Sequence, residues 1–177
     1  MDCVHVIPDF LCVDVINKIR PLLTRASEVF IEQNSNLGNR VIGLPQDIEN
    51  RELYEILANE TSQDKFAISK YSDNKNYVAE PERQLVFAWL KGSLSPSHVD
   101  SMLFPYKSRP LKFASVCYLN DDFDGGELVL ENIGLTIKPR AGMFVVYPVS
   151  EKYRHRVNNI TNGVRYSLSK FWVLKDE

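Results

Sequence analysis

The chain has 177 residues, enough for one domain with a full core. Hydrophobic residues make up 44% and charged residues 25%, an ordinary balance for a globular protein. Lys plus Arg number 21 against 23 Asp plus Glu, so the net charge of −2 gives no global field for nucleic acid or an anionic membrane. No apolar run is long enough to span a bilayer. The cysteines Cys3, Cys12 and Cys117 have no CxxC spacing and do not read as a disulfide framework or a zinc site. Residues 1–5 lack the basic and apolar regions of a secretory signal. A reducing, cytoplasmic location is expected, without nucleic acid or membrane as a partner.

In chain order, residues 4–8 alternate in polarity and predict a short opening strand. Asp9 can cap the helix that follows. Its apolar positions Leu11, Val15, Ile16, Ile19, Leu22 and Leu23 recur near helical spacing. Pro21 inside that pattern predicts a kink or break, with 24–33 continuing beyond it. Residues 33–39, rich in Asn, Ser and Gly, read as a loop. Asn50 is the candidate cap of a second helix, with Leu53, Ile56 and Leu57 on one face. Phe66, Ile68 and Tyr71 begin a strand-like alternation. Residues 72–81 then read as a polar loop, either a connector or a lid.

From Leu85 the pattern is mostly strands: 85–90, 111–119, 127–130, 135–137, 143–147, 155–157 and 165–173. Short strands separated by Gly, Pro and Asn predict a mainly β architecture, a sandwich or jelly roll. The N-terminal helices would cover one face of it. No repeat or linker divides the chain. A single domain over 1–177 is expected, with 1–65 as helical support and 66–177 as the β core.

Within the β-rich half, His98 and Asp100 share parity, so on a strand or its extended exit they point to one side. A distal His155 adds a second imidazole. Two neutral imidazoles and one carboxylate, with coordination positions left open, suit non-haem Fe(II). Taken alone, His98-x-Asp100 is common by chance and is usually an ordinary loop or edge pair. His5 reads as a surface or packing residue. Arg165 offers an always-charged fork for a carboxylate, though a lone Arg at a strand start is usually solvated. It follows His155 across a turn with Asn158, Asn159 and Gly163, which predicts that the last strand lies beside the one carrying His155. Arg165 and Ser167 share a face, and Tyr118 can add a phenolic donor.

Two other clusters compete for a role. Asn120, Asp122, Asp124, Gly125 and Glu131 fall on calcium-loop positions, but their flanks read as strands. They read as a solvated acidic hairpin turn. Lys152, Arg154 and Arg156 form a solvated strand face or a basic patch that draws an acidic ligand to a mouth.

Ser97-His98-Val99-Asp100-Ser101, Cys117-Tyr118-Leu119-Asn120, Asp124-Gly125-Gly126-Glu127-Leu128, Pro139-Arg140-Ala141-Gly142, His155-Arg156-Val157 and Gly163-Val164-Arg165-Tyr166-Ser167-Leu168 stand in this order. Together, over 85–172, they resemble the prolyl-4-hydroxylase-like branch of the 2-oxoglutarate/Fe(II) dioxygenases. Ile7-Pro8-Asp9-Phe10-Leu11 is similar to the usual start of such domains. The resemblance implies a double-stranded β-helix, cupin-like, with iron near its open end. It implies that His98, Asp100 and His155 bind the catalytic iron. Arg165 would pair with the distal carboxylate of 2-oxoglutarate, Tyr118 would hydrogen-bond it, and Ser167 would lie beside them. The cofactors implied are Fe(II), 2-oxoglutarate as co-substrate and O2, with ascorbate as a candidate accessory. Asp100, where a halogenating relative would have Ala or Gly, favours hydroxylation.

The implied substrate is a prolyl residue in a peptide or protein. A free amino acid, another side chain or a small metabolite stays open, as do a non-catalytic metal-binding jelly-roll module and the oligomeric state. A hydrolytic zinc enzyme with these ligands would have no use for Arg165. Collagen-type relatives place a Lys where this chain has Arg165, which puts it nearer the bacterial, viral and oxygen-sensing types. Many relatives carry a Tyr three residues before the first His, where this chain has Ser95. Trp89 and Phe87 are the candidates to fill that space.

Overall fold

A computed structural model describes residues 3–37, 41–64, 67–68, 77–100 and 111–174. The N-terminal third holds β1 (His5–Ile7), α1 (Val13–Gln33), β2 (Val41–Leu44) and α2 (Arg51–Glu60). Next come β3 (Tyr77–Trp89), β4 (Ser95–His98), β5 (Leu111–Tyr118), β6 (Asp124–Gly125), β7 (Leu128–Leu130) and β8 (Leu135–Ile137). The chain closes with β9 (Phe144–Pro148), β10 (His155–Val157), β11 (Ile160–Asn162) and β12 (Arg165–Leu174). A six-stranded sheet has the order β1-β9-β5-β12-β3-β2, and a four-stranded sheet the order β4-β10-β7-β8. β11 and β6 form a short ribbon.

Side-chain alternation splits the large sheet into two faces. Val86, Ala88, Cys117, Phe144, Val146, Leu168 and Trp172 pack with Ile16, Ile19, Leu23, Leu53 and Leu57 of the helices. Their neighbours Val116, Tyr118, Val145, Phe171 and Val173 pack with Leu128, Leu130, Ile137 and Val157 of the small sheet. The result is a mixed α/β fold: helices on one face of the large sheet and the small sheet on the other. The site lies between the sheets. No helix among the described residues is long and apolar enough to cross a membrane.

The six strands expected from Leu111 onward stand within one residue of their expected bounds, whereas β3 begins at Tyr77 rather than Leu85, and β4, β6 and β11 are additional to the expected set. Several other expectations fail for physical reasons. Asp9 does not cap α1. It sits in a turn, and the N-cap is Cys12, with no side-chain cap bond. Leu11 is buried and its N–H donates to Gly142 O at 3.1 Å, which holds this segment outside the helix. Pro21 does not break α1, which runs on to Gln33. Pro21 and Asn17, whose carbonyl loses its donor, lie on the exposed side, where water can serve the acceptor.

Ala67 and Ile68 are helical, not strand, and Ala67 N donates to Gln63 O at 3.1 Å. A short apolar run fits either period. Phe66 and Tyr71 lie outside the described residues. The polar stretch 72–81 is partly strand: Tyr77, Val78 and Ala79 pair with Leu174, Val173 and Trp172 of β12. Pro81 falls where that register shifts, a place where a missing N–H is tolerated. Residues 72–76, with the lid reading, lie outside the described residues. β2 has no counterpart in the sequence reading; it joins the large sheet through Val41–Leu44 against β3. β12 does not lie beside β10. It pairs with β3 and β5, while β10 joins the other sheet, because the intervening β11 ribbon carries the chain across.

Candidate metal and co-substrate site

β4 ends at His98, and His155 opens β10 directly opposite it in the ladder. Their ring centroids are 4.4 Å apart. Asp100 follows just beyond β4. His98 Nε2 lies 3.7 Å from Asp100 Oδ1, and His155 Nε2 lies 3.8 Å from Asp100 Oδ2. One ligand atom from each of the three residues falls within 4.8 Å of the others.

Both imidazoles are oriented through their other nitrogen. His98 Nδ1–H donates to Pro96 O at 2.8 Å, with Ser95 Oγ at 3.2 Å from the same nitrogen. His155 Nδ1–H donates to Tyr153 O at 3.1 Å. Each ring thereby keeps Nε2 as its lone-pair atom, the arrangement metal-binding histidines use. Burial works against charge on His98, but Asp100 and the Pro96 carbonyl raise it above the ordinary histidine value. Deeper burial lowers His155, against the pull of Asp100. Asp100 is buried, and its Oδ2 has no hydrogen-bond partner. An uncompensated carboxylate facing two imidazole lone pairs fits a cation. Two nitrogens, one carboxylate and open positions fit Fe(II) in particular.

Elsewhere in the site, Arg165 opens β12 across from Trp89 of β3. Its guanidinium carbon is 4.9 Å from the ring centroid of Trp89 and 4.9 Å from that of Tyr118. Arg165 Nε and Nη1, Tyr118 Oη and Trp89 Nε1 are all buried without a hydrogen-bond partner. Each such donor costs about 1–3 kcal/mol unless a ligand satisfies it. Burial pushes the Tyr118 phenol up, partly opposed by Arg165, so it stays a donor. Gly126 makes room for the arginine: a Cβ there would stand 2.9 Å from Arg165 Cδ and 2.5 Å from Ile160 Cδ1. Its φ of +68° also favours glycine.

Trp89, Arg165 and Ser167 line one cavity of about 240 Å³ together with His98, Asp100 and His155. Tyr118 lies against it through Arg165. Val116, Leu128, Val157 and Phe171 supply apolar wall. Five of the six residues expected from sequence line this cavity, and Tyr118 stands against it at Arg165.

Ser95 entered the sequence reading only as a departure from the relatives, without a role, and Tyr147 was missed. Ser95 touches His98 Nδ1, as described. Tyr147 of β9 points its hydroxyl at His155 Nε2, 3.3 Å away. Burial, then the Asp100 charge, pushes that phenol well above its ordinary value. Its only sequence signal was a polar-tipped aromatic on the apolar face shared by Met143 and Val145. The other clusters resolve otherwise. Asn120 braces the turn, donating to Asp122 Oδ1 and Val164 O and accepting from Tyr166 N. Arg154 pairs with Glu151, and Arg156 with Glu131, so the basic stripe is largely neutralised.

Residues 83–173 match the 2OG-Fe(II) oxygenase superfamily. The chain belongs to that superfamily. Among the curated proteins it resembles are PKHD-type hydroxylases. A PKHD-type hydroxylase of Delftia acidovorans is 33% identical over 89 residues, covering 46% of this chain and 38% of its own length. Another, from Burkholderia ambifaria, is 29% identical over 183 residues, covering 94% and 76%. The chain spans about two-fifths of the length of the Delftia relative. In structure it is similar to the viral collagen prolyl hydroxylase of Paramecium bursaria Chlorella virus-1, solved with 2OG. That match has a TM-score of 0.67 and 14% identity, covering 98% of this chain and 96% of that one. A Trichoplax adhaerens prolyl hydroxylase bound to a hypoxia-inducible-factor peptide fragment matches with a TM-score of 0.70 and 16% identity, covering 96% and 83%. At these identities the structural matches speak to the fold.

Proposed function

We propose that this chain is a 2-oxoglutarate- and Fe(II)-dependent hydroxylase of the prolyl 4-hydroxylase type, acting on a peptide or protein. One observation carries the reading. A carboxylate and two imidazole lone pairs converge on one uncompensated point of a cavity, and unpaired donors around a buried guanidinium stand at the same cavity. A metal alone needs only the first; a dicarboxylate co-substrate needs both. His98, Asp100 and His155 are the proposed ligands. Arg165 and Tyr118 are the proposed grip on the distal carboxylate, with Ser167 beside them. Bound Fe(II), 2-oxoglutarate and O2 would together supply the oxidising power for hydroxylating an unactivated C–H bond, with ascorbate as a candidate accessory. The chain's own residues orient the ligands, neutralise the far carboxylate and exclude water.

The peptide substrate is supported by the peptide-bound Trichoplax neighbour. The two facing sheets support a double-stranded β-helix, and the shared helix–sheet core supports one domain over 1–177 with 1–65 as its support. Three free cysteines agree with a reducing, cytoplasmic location.

The test is anaerobic addition of Fe(II) and 2-oxoglutarate to metal-free protein, beside an Arg165→Ala variant. A metal-to-ligand charge-transfer band in the native protein, weakened in the variant, is expected. Metal binding without that band overturns the co-substrate reading and leaves a binding module.

A further inference from the structure

Tyr147 is a buried polar group of this site that the proposed chemistry leaves unused. It stands on β9 of the large sheet, whereas His155 stands on β10 of the small one. The rings meet edge-on, with centroids 4.9 Å apart. Because His155 Nδ1–H is committed to Tyr153 O, Nε2 is the acceptor and the Tyr147 hydroxyl donates to it at 3.3 Å. That same Nε2 faces Asp100 Oδ2, the buried oxygen with no hydrogen-bond partner.

A cation taken up by the three ligands uses the Nε2 lone pair. The phenol then loses its acceptor inside a cavity with apolar walls. The carboxylate of Asp100 faces the same nitrogen and lies close enough to the phenol to interact with it. If one of its oxygens holds the cation, the other is free to accept.

We propose that Tyr147 is a positioning residue for the metal centre: when metal binds, its hydroxyl turns from His155 Nε2 to Asp100 and donates to the carboxylate oxygen that does not hold the metal. The bond fixes Asp100 as a one-oxygen ligand. It thereby keeps a coordination position open that a two-oxygen carboxylate would fill. The inference rests on the metal-site reading above and assigns a role to a residue outside the ligand set.

The test is titration of metal-free protein with Co(II) without oxygen, read by visible spectroscopy. Native protein is compared with Tyr147→Phe, Tyr147→Met and Tyr166→Phe. Tyr166 donates or accepts at Ser27 Oγ, 2.8 Å away on the helix face, so its variant controls for loss of a buried hydroxyl. Both Tyr147 variants are expected to bind Co(II) about 10–100-fold more weakly, with a changed spectrum, while Tyr166→Phe matches native. Melting temperatures of the metal-free variants check that each is folded. Equal affinity and an equal spectrum in native and Tyr147→Phe overturn the proposal. So does a phenolate-to-metal band in the ferric native protein that vanishes in Tyr147→Phe, which would make Tyr147 a ligand. No Co(II) uptake by native protein overturns the metal reading itself, and this proposal with it.

Discussion

Two buried cations stand on β12, one on each face of the sheet. Arg165 is 2% exposed and Lys170 is 6% exposed. Lys170 faces the helices, where its ammonium donates to the Asp64 carboxylate and to Thr61 Oγ1. Arg165 faces the cavity, where Nε and Nη1 have no partner. The two tryptophans repeat the contrast. Trp172 Nε1, on the helix side, donates to Ser115 Oγ at 2.9 Å, while Trp89 Nε1, on the cavity side, is buried and unpaired. The same residue types on the same sheet are thus completed on one face and left incomplete on the other. Buried polar groups are nearly always satisfied in folded proteins, so the incomplete face is the one built for a ligand.

The comparison can be broken most directly at the metal end. Asp100→Ala and His155→Ala are each expected to abolish turnover, measured as succinate formed from 2-oxoglutarate. Full activity in either would remove the cavity face from function. A smaller effect separates the two cations. Asp64→Ala leaves Lys170 buried without a counter-charge, held only by Thr61 among the described residues, and is expected to cost about 3–5 kcal/mol in urea unfolding. Arg165→Met removes a cation that has no ion-pair partner among the described residues. It is expected to cost less than about 1 kcal/mol while abolishing 2-oxoglutarate binding. Equal destabilisation by the two would make Arg165 a structural residue.

The smallest effect sharpens the helix face. Burial pushes the Cys117 thiol up to about 12, with Lys170 opposing. Above about pH 9 an unfolded thiol ionises while the folded one stays protonated. The unfolded state then holds fewer protons, so stability falls as pH rises toward 12, by up to about 1.4 kcal/mol per pH unit. Cys117→Ala is expected to flatten that slope in unfolding measured from pH 8 to 10.5.

Much of the candidate site was legible because strand alternation carries side-chain direction. Parity put Arg165 and Ser167 on one face, and the sheet keeps them there. The ordered family motifs did the rest: taken alone His98-x-Asp100 reads as an ordinary pair, and the resemblance is what singled out two imidazoles and a carboxylate as an open-sided metal site. Local contests went the other way. Asp9 lost its cap because Leu11 is bound to Gly142, a partner far along the chain. Residues 77–79 read as polar loop, yet β12 offers them a ladder to complete. Tyr147 was illegible as a site residue because its strand and that of His155 belong to different sheets, and no short-range pattern links them.

By itself the sequence determined the ligand types, the run of short strands, the two helices and the faces on which the site residues point. These follow from periodicity and side-chain chemistry, which act within a few residues. Only the tertiary structure decided that β10 lies opposite β4, so that His98 and His155 meet. It alone placed β12 between β3 and β5, which sets Arg165 against Trp89 and Tyr118. It alone left those donors unpaired. Parity fixes which way a side chain points. What it meets there depends on which distant strand arrives, and that is settled by the packing of the whole core.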